Sequence, residues 1–329
     1  MATSQQIKAL LQSHGSGDDA RFYAVALQLA AAEARRGHDT LAGEIKKLVD
    51  QSKKRKSAPQ STESIFHVAQ PRGEAAELLE HVETGWKVKD LILPVLLSKR
   101  ISRILEEQQN LSRLKEHGLR PRQRLLFTGP PGCGKTMTAA ALAGDLGLPL
   151  LVVRLDSLIS RYLGESLSKL RIIFETVNST RAVYLFDEFD SIGYTRDSTA
   201  DVGEMRRLLN SFLTFVEKLS SNSVVIAATN HGDRLDKALY RRFDDLVEFG
   251  LPDEDQVWET IQIRLSGVPA STIIKERDKI LKAADRLSYA EITRGCEEAT
   301  KEMLLRGRKS VTTAMLVAAL TERRLFLNH

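Results

Sequence analysis

Cysteine is scarce: Cys133 and Cys296 are the only two in 329 residues. Two thiols cannot build a disulfide framework, and no Cys/His spacing has the form of a metal site, so a reducing compartment fits. No apolar run approaches the length of a membrane span. Met1 to Ala20 carries polar and charged residues where a signal peptide needs an apolar core. These absences lead to the expectation of a soluble, cytoplasmic protein without membrane contact. Neither sign of charge dominates, since 48 basic and 43 acidic residues leave a net charge of +5. That excess permits contact with nucleic acid but does not argue for it; a mixed-charge solvated surface is the simpler reading.

What is present is enough for a large core, with 42% hydrophobic residues in a chain longer than one average domain. Over residues 4 to 52 apolar positions recur at helical spacing, at Ile7, Leu10 and Leu11, then Phe22, Val25, Leu27 and Leu29, then Leu41, Ile45 and Leu48. The spacing predicts an N-terminal helical bundle over 1–52, suited to binding a substrate or adaptor. Lys53 to Lys56 is a basic run, and with Ser57 to Ser64 it has the composition of an exposed linker, placed over 53–73.

From Glu74 to Glu116 the pattern is helical, with a break near Trp86 to Pro94. Short apolar strands then alternate with helices: Arg124 to Thr128, Leu150 to Leu155, Ala182 to Phe186, Val224 to Thr229 and Leu246 to Phe249. Such alternation predicts a parallel sheet covered by helices, an α/β unit over 74–250. After Pro252 the strand signal stops. Glu254 to Leu265, Ser271 to Leu287, Ala290 to Arg306 and Val311 to Leu327 read as helices, an all-helical unit over 251–329.

The chain is organised around Gly129, Pro130, Pro131, Gly132, Cys133, Gly134, Lys135 and Thr136, the full P-loop spacing between an apolar strand and an Ala-rich helix that begins at Met137. Backbone N–H groups of such a loop cradle phosphates, Lys135 reaches the β- and γ-phosphates, and Thr136 reaches Mg²⁺. Downstream, Ala182 to Phe186 runs into Asp187 and Glu188, which places two carboxylates at the carboxyl end of a buried strand. Asp187 suits a metal, directly or through water, and Glu188 suits proton acceptance from an attacking water. The next strand ends in Thr229 and Asn230, a polar amide beside the same pocket. Arg241 and Arg242 lie too far along the chain to be ordinary P-loop ligands, but a guanidinium from a neighbouring subunit can stabilise transition-state charge.

In this order and spacing, these residues resemble the AAA family of ATPases, within the wider AAA+ group, from about Trp86 to the C-terminus. The resemblance implies a five-stranded parallel-sheet P-loop domain with Walker A and Walker B motifs and a C-terminal helical lid. It also implies ATP and Mg²⁺ at the subunit boundaries of a homo-oligomeric ring, usually a hexamer. By it, Asn230 is sensor 1, and Arg241 and Arg242 are arginine fingers. Two departures stand out. The Pro-Gly that usually lies between the finger arginines is missing, and Tyr289, within Ser288 to Ile292, replaces a glycine near the nucleotide. No sensor-2 arginine is evident in the lid.

Ser160 to Glu165 resembles the family's first pore loop, with Arg161, Tyr162, Leu163 and Gly164 in the basic, aromatic, aliphatic and glycine positions. An exposed aromatic on such a loop can grip an extended polypeptide without reading its sequence. The resemblance therefore implies an ATP-driven protein remodeller. A further likeness, resting on length and the N-terminal bundle, is to small bacterial AAA ATPases encoded beside a subtilisin-like protease in anti-phage defence modules, which implies a protease partner. A nucleic-acid motor or loader and a nucleotide-gated assembly switch are the alternatives. The pore-loop pattern counts against the first of them.

Overall fold

Leu125 to Phe127, Val183 to Phe186 and Val224 to Ala228 are wholly buried apolar runs, as strands covered on both faces must be. In the computed structural model of this chain they form the centre of a six-stranded sheet. The structure describes residues 73–159, 163–189, 199–232, 240–269 and 276–327, with backbone alone for 163, 199–206 and 327, and the isolated helical positions Val25, Ala26, Ala30, Ala32, Gly43 and Lys47. Two units are distinguished, Met1–His67 and Val68–His329. In the first, Ala26 and Ala30 are helical and buried. The rest of the expected bundle and nearly all of the expected linker lie outside the described residues.

In the second unit the strands are β1 (Leu79–Val82), β2 (Arg124–Thr128), β3 (Leu150–Val153), β4 (Val183–Phe186), β5 (Val224–Thr229) and β6 (Asp245–Glu248). Their order is β1-β3-β4-β5-β2-β6. The strands from β2 to β6 are mutually parallel and correspond to the five expected from the sequence. The sixth, β1, is a departure. It runs antiparallel to β3, with Leu79 opposite Val153 and Val82 opposite Leu150, in a stretch whose spacing reads as helical. The helical start there is only α1 (Glu74–Leu78). Pairing with the otherwise open edge of β3 then overrides the local pattern.

The remaining helices are α2 (Val95–Gln109), α3 (Leu111–Glu116), α4 (Lys135–Leu146), α5 (Leu155–Leu158), α6 (Leu163–Ser179), α7 (Thr199–Glu217), α8 (Glu254–Arg264), α9 (Arg277–Ala283), α10 (Tyr289–Leu305) and α11 (Thr313–Leu327). Because side chains alternate across a strand, each strand supplies two faces. Leu125, Phe127, Leu185 and Ile226 pack with Ile101 and Ile104 of α2 and Leu142 of α4. Leu126, Tyr184, Phe186 and Val225 pack with Phe174 of α6 and Phe212 of α7. The helices α8 to α11 have a separate core that includes Ile261, Ile280, Ile292, Cys296 and Leu316.

Register sets where the chemistry can occur. Thr128 of β2 lies opposite Thr229 of β5, and Phe186 of β4 opposite Ala227. The carboxyl ends of the three strands therefore finish nearly level, and the loops that follow them emerge along one edge. The other end of β2 is pinned by Asp244. Its Oδ2 accepts from the N–H groups of Gln123 and Arg124 at 3.0 and 2.9 Å, and its Oδ1 accepts from Arg124 Nε at 3.0 Å. Burial alone would raise the Asp244 carboxyl, but the Arg124 guanidinium and the two backbone donors outweigh it and the net shift is downward. A carboxyl lowered on folding stabilises the fold above its unfolded value, and that contribution is lost as pH falls through the lowered native value.

Candidate nucleotide site

The loop from Gly129 to Gly134 turns through backbone that favours glycine, with φ of 141° at Gly129, 75° at Gly132 and 96° at Gly134. Gly134 caps α4, so the positive end of that helix faces the loop. At Gly132 space also decides the residue. A Cβ there would lie 2.5 Å from Ser288 Oγ and 2.9 Å from the Ala290 Cβ. The Ala290 N–H donates to the Gly132 carbonyl at 3.2 Å, so the first turn of α10 rests directly on the phosphate loop.

Lys135 is buried, 6% exposed, and its ammonium donates to the carbonyls of Gly129 and Pro130 at 2.8 and 2.9 Å and to Asn230 Oδ1 at 2.7 Å. The amide at the end of β5 thus meets the P-loop lysine. Thr136 Oγ1 donates to Asp187 Oδ2 at 2.6 Å. Two hard oxygens, from the P-loop and from β4, converge there in the manner that suits a divalent cation. Among the described residues no cluster of three or more His, Cys, Asp or Glu could hold a metal by itself. Phosphate oxygens and water would have to complete its shell.

Glu188 adopts the left-handed region at φ 50°, which costs a non-glycine residue of order 1 kcal/mol. Its neighbours enforce it. The Glu188 N–H donates to Asp187 Oδ1 at 2.9 Å, and the Phe189 N–H donates to the Ala228 carbonyl at 2.8 Å. Phe189 is fully buried, with its ring 4.6 Å from that of Phe212. This anchored turn leaves the Glu188 side chain exposed at the sheet edge, where a water can reach it.

Cys133 is buried under the loop; burial raises its thiol, against a smaller lowering by the Lys135 charge, which favours the neutral form. Met137 opens onto a cleft of about 130 Å³ beside the loop. Trp86, Leu91 and Leu93 line it from the segment ahead of α2, Met137 and Thr138 from α4, and Ile263, Arg264 and Tyr289 from the lid helices. Sequence reasoning missed most of this wall, because its members are scattered. Gly144 could have signalled part of it: a Cβ there would sit 2.2 Å from the Trp86 carbonyl oxygen. In a helix, alanine in place of glycine would gain up to about 1 kcal/mol, but here it would push the Trp86 backbone away. The Val88 N–H, donating to Asp145 Oδ2 at 2.9 Å, holds the same segment on α4.

Tyr289, which stands where the resemblance expects glycine, forms a wall of the cleft and donates its hydroxyl to Gln256 Oε1 at 2.9 Å. Burial raises the phenol, keeping it a donor. Arg264 is a lid arginine on the cleft that the sequence reading did not single out. The finger pair diverges: Arg242 Nη1 lies 2.9 Å from Glu217 Oε2, whereas Arg241 is exposed and forms no ion pair among the described residues. Asp244, two residues after that pair in the chain, bonds to Arg124. Arg161 and Tyr162 lie outside the described residues, and Leu163 and Gly164 form the first turn of α6 instead of belonging to the loop before it.

An apolar cleft beside an anion-binding loop, a paired hydroxyl and carboxylate, and an exposed carboxylate one residue on together fit a nucleoside triphosphate with a divalent cation. Comparisons with known proteins agree. The model of the ATPase family associated with various cellular activities (AAA) matches residues 125–251. An uncharacterized AAA family ATPase, y4kL of Sinorhizobium fredii, is 34% identical over 94% of this chain and 92% of its own length. A putative 26S proteasome regulatory subunit homolog of Methanothermobacter thermautotrophicus is 31% identical over 61% of this chain, which spans 55% of that protein. Among solved structures, the FIGL-1 AAA domain aligns with 79% of this chain and 91% of its own at a TM-score of 0.62 and 21% identity, a likeness of fold. Members of this family hydrolyse ATP with a divalent metal and typically form oligomeric rings. Among the described residues no helix is long and apolar enough to cross a membrane. With a match of this length to y4kL and a family model that begins at the P-loop strand, the chain belongs to the AAA family of ATPases.

Proposed function

We propose that this ATPase works as a homo-oligomeric ring, with ATP and Mg²⁺ at the subunit boundaries, and uses hydrolysis to remodel polypeptides. Lys135 and the loop N–H groups hold the phosphates, Thr136 and Asp187 hold Mg²⁺, Glu188 takes a proton from the attacking water, and Asn230 orients that water. The observation that carries the ring reading is the divergence of the arginine pair. Glu217 keeps Arg242 on its own subunit, while the exposed Arg241 is available to complete a neighbour's site. Polypeptide as the substrate is supported by the pore-loop pattern around Tyr162 and by the archaeal relative, whose name is that of a proteasome subunit homolog. The N-terminal unit would select the client. A protease partner, in a defence setting, is the further step implied by the likeness to small bacterial ATPases.

The test is ATPase activity of the full chain with an unfolded polypeptide or with single-stranded DNA, for the native protein and for Tyr162→Ala. Stimulation by polypeptide alone is expected, together with its loss in Tyr162→Ala while basal hydrolysis persists. Stimulation by DNA instead would favour a nucleic-acid motor, and stimulation by neither an assembly switch.

A further inference from the structure

The net positive charge of this chain is concentrated in one stretch. Residues 95–124, which form α2, α3 and the approach to β2, hold eight Lys and Arg against three Asp and Glu. The whole chain has 48 and 43, so forty of each are left elsewhere, and this stretch carries the full excess of +5. A solvated surface of interspersed charges needs no such segregation.

Some of these cations are anchored and still open. Glu107 lies 3.4 Å from Arg103 Nε and 3.3 Å from Arg122 Nη1, and Asp245 lies 3.8 Å from Arg100 Nε and 3.5 Å from Arg122 Nε. Arg100 Nη1 also donates to the Leu246 carbonyl. Three guanidiniums on two carboxylates leave one charge uncompensated, and the Arg100 and Arg103 side chains remain 49% and 68% exposed. Guanidiniums oriented in this way suit the oxygens of a phosphate. The others have no partner to lose. Lys99, Arg113, Lys115 and Arg120 are exposed, and their side chains make no ion pair or hydrogen bond among the described residues. Every exposed position between Leu96 and Gly118 is charged or polar. A protein partner draws most of its affinity from a buried apolar centre, which this face lacks, whereas a phosphate backbone is held by charge.

Neither the ATP phosphates nor the arginine pair accounts for these cations. Arg124 begins β2 and Thr128 ends it, so the P-loop lies a strand's length away, roughly 13 Å at about 3.3 Å per residue. Helix α2 packs on the sheet face that carries Leu125 and Phe127, whereas α7, whose Glu217 holds Arg242, packs on the face that carries Leu126. We propose that the exposed face of α2 and α3 binds the phosphate backbone of nucleic acid, without regard to base sequence and apart from the ATP site. The attachment does not rest on the remodelling reading. It holds the ATPase on nucleic acid with no strand passing through a ring, so it requires no stimulation of hydrolysis.

Fluorescence anisotropy of a short labelled duplex DNA, titrated with the full chain over a range of salt, measures the binding directly. A Kd of roughly 10⁻⁴ to 10⁻⁶ M is expected at physiological salt, with affinity falling steeply as salt rises. Lys99→Gln, Arg113→Gln, Lys115→Gln and Arg120→Gln together remove four charges without breaking a pair. That variant should keep the native Tm and basal ATPase activity, bind duplexes of different sequence at least about tenfold more weakly, and lose about one from the salt slope per residue replaced. A control carries Arg171→Gln, Arg181→Gln, Arg308→Gln and Lys309→Gln, at exposed cations elsewhere that are equally unpaired among the described residues. It should bind as the native chain does, and poly-glutamate should displace the duplex far less well than unlabelled duplex. No binding by the native chain, or equal weakening in the control, would overturn the proposal. Displacement by poly-glutamate as effective as by duplex would overturn it too, by giving the face to an acidic protein. The ATPase reading stands in each case.

Discussion

Replacing Glu188 by glutamine is expected to leave ATP affinity nearly unchanged and to lower the hydrolysis rate by about 10²- to 10⁴-fold, the usual contribution of a positioned general base. The structural reason is that Glu188 contributes to the turn through its backbone. Its N–H donates to Asp187 Oδ1, while the side chain is exposed and the turn is anchored by Phe189. Glutamine keeps the shape and the N–H and removes only the proton acceptor. Steady-state ATPase and nucleotide titration on the same preparation decide it. Loss of affinity in step with loss of rate would mean that Glu188 supports binding, and the base would have to be sought elsewhere.

Replacing Lys135 by alanine should have the opposite signature, with loss at the binding step. The ammonium is buried and lies among the Gly129 and Pro130 carbonyls and Asn230 Oδ1. Removing one partner of a buried, hydrogen-bonded charge pair typically costs roughly 2–5 kcal/mol, about 30-fold to several thousandfold in Kd. The same substitution leaves Asn230 without its lysine partner, so sensor and loop should loosen together. Native ATP affinity in Lys135→Ala would contradict the assignment of this loop as the phosphate cradle.

These two side chains were legible in the sequence because their chemistry depends on local order. A P-loop is eight consecutive residues, and the Asp187–Glu188 pair is marked by the buried strand that precedes it. Asn230 was legible for the same reason, at the end of β5. Strand β1 was not, because Leu79–Val82 is too short for periodicity to separate strand from helix; the open edge of β3 decides it. The cleft wall was invisible in part because it joins Trp86, Thr138, Ile263 and Arg264 across the whole unit. It depends on contacts, such as Gly144 against the Trp86 carbonyl, that no spacing encodes. Tyr289 was visible only as a departure from a pattern, and its bond to Gln256 gives that departure a physical meaning. The same holds for Asp244, whose partner Arg124 lies 120 residues away in the chain.

The account turns most on whether one subunit completes the site of the next. Two variants, Lys135→Ala and Arg241→Ala, should each be inactive alone, the first for lack of nucleotide and the second for lack of the arginine that reaches across. Mixed and shown to co-assemble, they should regain ATPase activity, because some boundaries then pair an intact P-loop with an intact Arg241. No recovery in demonstrated co-assemblies would contradict the account and place Arg241, like Arg242 with Glu217, in its own subunit's structure.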